Sequence, residues 1–88
     1  MMATTDSPGT PLQLPAMSAP VKRSVTIGGH RTSVSLEDAF WRGLEAAARK
    51  RGTTRAALIA EIDHARPPEV GLATACRLFV LAELAGGR

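Results

Sequence analysis

Eighty-eight residues make one domain at most, and a chain this short recovers only about 60% of its unfolded surface on folding, so a single copy is expected to be marginal. The lone Cys76 excludes an internal disulfide and offers no metal-ligand spacing, which leaves self-association as the expected support. The net charge of +3 divides as −1 over residues 1–20, +5 over residues 21–55 and −1 over the remainder, so an anionic partner is met by the middle third.

Residues 1–20, MMATTDSPGTPLQLPAMSAP, hold four of the six prolines and show no apolar period, which reads as a disordered arm; its one charge, Asp6, argues against contact with nucleic acid. No apolar run precedes Lys22, the first positive charge, so no secretory signal is expected and the protein is placed in the cytoplasm. From Val21 the period becomes two: Val21, Arg23, Val25 and Ile27 share one face of a strand, with Lys22, Ser24 and Thr26 on the other. Gly28 and Gly29 suit a primed two-residue turn. A returning strand, His30 to Leu36, then sets Thr32, Val34 and Leu36 against Arg31, Ser33 and Ser35.

At Ser35 the period shifts to 3.6, with Ser35 and Asp38 as a weak capping box, and a helix follows whose apolar stripe is Leu36, Phe40, Leu44, Ala47 and Ala48. It stops at Arg49-Lys50-Arg51 with Gly52 in the C′ position. A second helix, capped by Thr53 or Thr54, turns Leu58, Ile59, Ile62 and Ala65 inward and ends at Pro67 and Pro68. In a third, Leu72, Ala75, Cys76, Phe79, Val80 and Leu84 face one way, and the helix frays at Gly86-Gly87. The longest apolar run, Leu78 to Ala82, is far short of the roughly 20 residues that cross a bilayer, so no membrane role is expected.

A strand ahead of two helices lacks a cover for its apolar face, and two copies pairing strands across a two-fold axis would supply one. The expected product is an α+β homodimer, a two-stranded ribbon over a four-helix core. Its shared interior is assigned to Val34, Leu36, Phe40, Leu44, Leu58, Ile59 and Ile62. The ribbon face matches the major groove of B-DNA, about 12 Å wide.

On these residues the chain resembles the ribbon-helix-helix superfamily of Arc- and MetJ-like repressors. More closely, the run KRSVTIGGHRTSVSLEDAFWRGLEAAARKRGTTRAALIAEID looks like short bacterial ribbon-helix-helix proteins with a leading hairpin and an extra C-terminal helix. The resemblance implies a homodimeric transcription regulator that binds double-stranded DNA. Arg31, Ser33 and Ser35 would read bases, and the start of the second helix, Thr53, Thr54 and Arg55, would hold phosphate; Lys22 and Arg23 join them as backbone contacts. Arg31 is the one long base reader per chain.

Other chemistry finds little support. His30, Asp63, His64 and Cys76 are scattered over several elements without zinc-site spacing, so neither metal nor cofactor is expected. Two separated histidines and no Gly-rich phosphate loop give no catalytic constellation. Arg49-Lys50-Arg51 reads as compensation of the helix dipole before it reads as a phosphate patch, and Phe40 and Trp41 as core or dimer contacts before base-stacking groups. The rival reading is a protein-interaction module, antitoxin-like, in which the third helix or the arm meets a second protein.

Overall fold

The computed structural model describes residues 11–86. Its order is β1 (Val21–Ile27), β2 (His30–Leu36), α1 (Asp38–Lys50), α2 (Arg55–Ala65) and α3 (Leu72–Leu84), an α+β arrangement in which one antiparallel hairpin lies over three helices. The alternating β-branched residues form both strands. Gly28 and Gly29 close the turn at φ +57° and +83°, the positive values a primed two-residue turn requires. The register runs from Ile27 opposite His30 to Val21 opposite Leu36.

The helices begin and end for local reasons. α1 finishes in a paired C-terminal motif, with the N–H of Thr53 donating to Ala48 O at 2.9 Å and that of Gly52 to Arg49 O at 3.1 Å. α2 is capped by Thr54, whose hydroxyl accepts from the Ala57 N–H at 3.1 Å, an arrangement typically contributing about 1 kcal/mol. After α2, Arg66 donates to Asp63 at 2.8 Å and to the Val70 carbonyl at 2.6 Å, fixing the turn into α3.

Three sequence expectations need correction here. Ser35 does not cap α1: it is still in β2, opposite Lys22. The N-cap is Glu37 without a side-chain bond, and the first helical N–H, that of Asp38, donates to Ser18 Oγ at 3.2 Å. Leu36, assigned to the helical stripe, is accordingly a strand residue, and the stripe buries Trp41 while Phe40 is half-buried. Ala65 and Leu84, expected inward, are exposed, because each lies in the last turn of its helix, beyond the layer that the neighbouring elements cover. Residues 1–10 of the expected disordered arm, and Gly87, lie outside the described residues.

α2 lies against β1, α3 against β2, and all three helices meet one another. Between them sit Val25, Val34, Leu36, Trp41, Leu44, Ala47, Ala48, Leu58, Ile59, Cys76 and Val80, with no buried polar or charged residue among the described residues. α3 closes tightly on α1 because residue 43 is glycine: a Cβ there would stand 2.6 Å from Val80 Cγ1. The expectation that the strand has no cover in one copy is thereby overturned. Val34, Leu36, Leu44, Leu58 and Ile59, assigned to a shared interior, are covered by their own chain. β1 supplies the second strand and α3 the missing helical wall. Phe40 and Ile62 are half-buried.

Burial also sets the chemistry of Cys76. Its thiol is pushed up from 9.0 to about 11, first by loss of solvent and then by the negative charge of Asp63. The neutral thiol is therefore favoured in the folded chain, and this stabilisation is whole below about pH 9 and lost as the pH rises through about 11. Thermal melts are expected to fall over that window in the native chain by the equivalent of roughly 2 to 3 kcal/mol more than in Cys76→Ala. Parallel profiles for the two proteins would show that Cys76 contributes nothing to the alkaline loss.

Candidate nucleic-acid interface

The hairpin presents one face to the helices and the other to solvent. On the solvent face the register makes three pairs, Lys22 with Ser35, Ser24 with Ser33, and Thr26 with Arg31, and all six residues are exposed. Lys22 and Arg31 stand at opposite corners, four strand positions or roughly 13 Å apart. Neither makes an ion pair among the described residues. The two-residue turn makes Ile27–His30 a hydrogen-bonded pair, so alternate pairs leave their backbone groups directed outward. The same six residues therefore carry the free N–H and C=O groups of the two sheet edges. Ser35 has one of these engaged, its carbonyl accepting from Arg77 at 3.5 Å.

A second feature opens beside the β1 edge. A cleft of about 530 Å³ runs between Ser24, Val25 and Thr26 of β1, the end of α1 at Glu45 and Arg49, and Thr53, Thr54, Arg55 and Ala56 at the start of α2. Thr54 has its hydroxyl occupied by the cap, whereas the N–H groups of Arg55 and Ala56 make no hydrogen bond within the described chain. A helix start with free donors and a positive dipole end attracts an anion.

Trp41 joins the two features. Its indole N–H donates to the Val21 carbonyl at 2.9 Å, fastening the start of β1. The guanidinium of Arg23 lies 5.4 Å from the centre of its ring and that of Arg55 lies 5.1 Å away. Arg23, which strand alternation puts on the helix-facing side, is thus exposed by reaching over the indole to the rim. Arg55 also faces Glu45 at 3.8 Å, and Glu45 faces Arg49 at 3.6 Å.

The other basic residues have structural work. Arg51 pairs with Glu83 and lies 5.3 Å over the Phe79 ring, tying α1 to α3; Arg42 pairs with Asp38 within α1. Arg77 binds Glu37 at 2.9 Å, holding that carboxyl below its usual range, chiefly through the hydrogen bond. Arg49-Lys50-Arg51 is therefore split rather than forming one patch, and Lys50 alone of the three makes no ion pair among the described residues.

The structure brings Arg31, Ser33, Ser35 and Lys22 together on one face, and Thr53, Thr54 and Arg55 together in the cleft, with Arg23 and Trp41 between. Sequence reasoning missed the linking role of Trp41. The available signal was spacing, since Trp41, Leu44 and Ala48 fall at i, i+3 and i+7 on one helix face. Among the described residues no cluster of three or more His, Cys, Asp or Glu could hold a metal ion, and no helix is long and apolar enough to cross a membrane.

Residues 20–84 match the family profile described as the ribbon-helix-helix domain. No curated protein and no solved structure matches the chain.

Proposed function

The chain belongs to the ribbon-helix-helix domain family, and from that premise we propose that it is a DNA-binding transcription regulator acting as a homodimer. Members of the family are typically regulators of this kind, bound to DNA as dimers. The observation that carries the reading is the solvent face of the hairpin, where Lys22 and Arg31, without an ion pair among the described residues, stand among four hydroxyl side chains.

Geometry favours one arrangement of the dimer. If two copies join through their β2 edges, four strands at about 4.8 Å spacing put the outer strand axes roughly 14 Å apart, slightly more than the width of the major groove, about 12 Å. The two β2 strands then occupy the groove and the two β1 strands lie against its walls. Arg31, Ser33 and Ser35 read base edges; Lys22, Arg23, Thr53, Thr54 and Arg55 meet the backbone. Of the residues assigned to the dimer interior, half-buried Phe40 and Ile62 remain available to the second copy.

The test is selection of bound fragments from random duplex DNA at two salt concentrations, with sedimentation of the same protein. Enrichment of a palindromic site, with affinity falling steeply as salt rises, is expected. Failure to retain any duplex in dilute buffer would reject the reading. Glu45→Gln supplies a gain-of-function check. This carboxylate faces Arg55 and Arg49 at the cleft and competes with phosphate for both, so its removal is expected to tighten DNA binding by roughly two- to tenfold in fluorescence anisotropy.

A second reading has its own support. Leu78, Leu81 and Leu84 of α3 are 56–80% exposed, and an apolar groove lined by Ile62, Pro67, Val70, Ala75, Leu78 and Phe79 lies alongside. Such a surface suits contact with another protein. That contact would be insensitive to salt, which separates it from the DNA interface.

A further inference from the structure

We propose that Trp41 is a positioning residue for DNA binding: a buried indole on which Arg23 and Arg55, from two different elements, are held as one guanidinium clamp for backbone phosphates. The inference rests on the DNA-binding reading and adds to it a role for a residue that itself touches no nucleic acid. Three observations converge on this ring. It is 2% exposed, its N–H is fixed to the Val21 carbonyl at 2.9 Å, and two cations lie 5.4 and 5.1 Å from its centre.

The physical consequence follows from the shape of arginine. A guanidinium drawn to an aromatic ring through its face keeps its in-plane N–H donors free, and these match a phosphate in bidentate fashion. A long side chain otherwise loses considerable rotamer freedom when it binds; one already settled on a ring loses less. The two distances confine the cations to within roughly 10 Å of each other, a span suited to neighbouring phosphates on one strand, whose charges recur every ~3.4 Å of helix axis. Arg23 comes from the rim of the hairpin and Arg55 from the mouth of the α2 cleft, so the ring aligns the two parts of the interface.

The experiment measures affinity for a mixed-sequence duplex by anisotropy across a salt series, in the native chain, Trp41→Phe and Trp41→Leu, with folding followed by circular dichroism. Trp41→Phe keeps an aromatic face but loses the N–H bond, so a lower melting temperature with a native salt slope is expected. Trp41→Leu is expected to bind roughly tenfold more weakly, with a slope of log affinity on log salt shallower by at least about one unit, since each phosphate contact accounts for about 0.9. A folded Trp41→Leu with the native slope, or a Trp41→Phe as defective as Trp41→Leu, would overturn the proposal. Should Trp41→Leu fail to fold, Arg23→Ala and Arg55→Ala decide: each is expected to make the slope shallower by about 0.9, and the native slope in either overturns the clamp. A native chain that binds no duplex would instead sink the DNA reading itself, visible before any variant is made.

Discussion

Leu44→Asp is expected to leave the chain unfolded. Leu44 is fully buried at the centre of α1, among Trp41, Ala48, Leu58 and Ile59, in a core that holds no polar or charged residue among those described. Losing a buried leucine typically costs about 2 to 5 kcal/mol. The carboxylate adds to this, since it has no cation beside it and would have to take up a proton to stay inside. A domain of this size is stabilised by only about 3 to 10 kcal/mol in all. The core that Leu44 fills is closed within one chain, so the loss falls on the fold of each copy; a dimer through the β2 edges would add stability as concentration rises, but only to chains that fold. Leu81→Asp, at a position 60% exposed, should keep a native circular-dichroism spectrum. A Leu44→Asp protein with a cooperative melt would show that the core does not depend on this side chain.

Where the sequence was legible, local periodicity carried the information. The hairpin could be read because seven residues alternate on each side of a Gly-Gly turn, and the second helix because Thr54 and Pro67 bracket it. The first helix was misplaced at its start. Ser35 and Leu36 satisfy a capping pattern and an apolar stripe, yet cross-strand pairing with Lys22 and Val21 keeps both in β2. A stripe anchored at Leu36 points toward Phe40 and leaves Trp41 outside a face that it dominates. The self-contained core was hidden for a different reason. Nothing local reveals that β1 covers the position a second copy was expected to fill, or that Gly43 lets α3 approach to Val80. The interface divides in the same way: period two puts Arg31, Ser33 and Ser35 on one face, whereas the meeting of Arg23, Trp41 and Arg55 exists only after three elements have packed.

Arg31→Ala is expected to weaken binding to the selected site by about 30-fold or more while leaving the fold unchanged. The fold is spared because Arg31 is exposed, makes no ion pair or hydrogen bond among the described residues, and sits beside the turn on the face away from the helices. The loss is large because the proposed homodimer would lose the side chain twice, and a bidentate arginine–guanine contact gives about 1 to 3 kcal/mol of discrimination each time. Its signature is positional. Preference at one base pair in each half-site should relax, and the two positions should be related by the symmetry of the site. Lys22→Ala, which removes a charge from the strand proposed to lie against the groove wall, should instead weaken all duplexes alike and make the salt dependence shallower. Binding of Arg31→Ala with native affinity and native preference would remove base reading from β2. Preference lost at Lys22→Ala and kept at Arg31→Ala would exchange the roles of the strands, placing β1 in the groove and β2 against its wall. The register permits either arrangement, since both strands expose three residues on the same face; the width of four strands and the single long side chain that β2 offers are what favour the first.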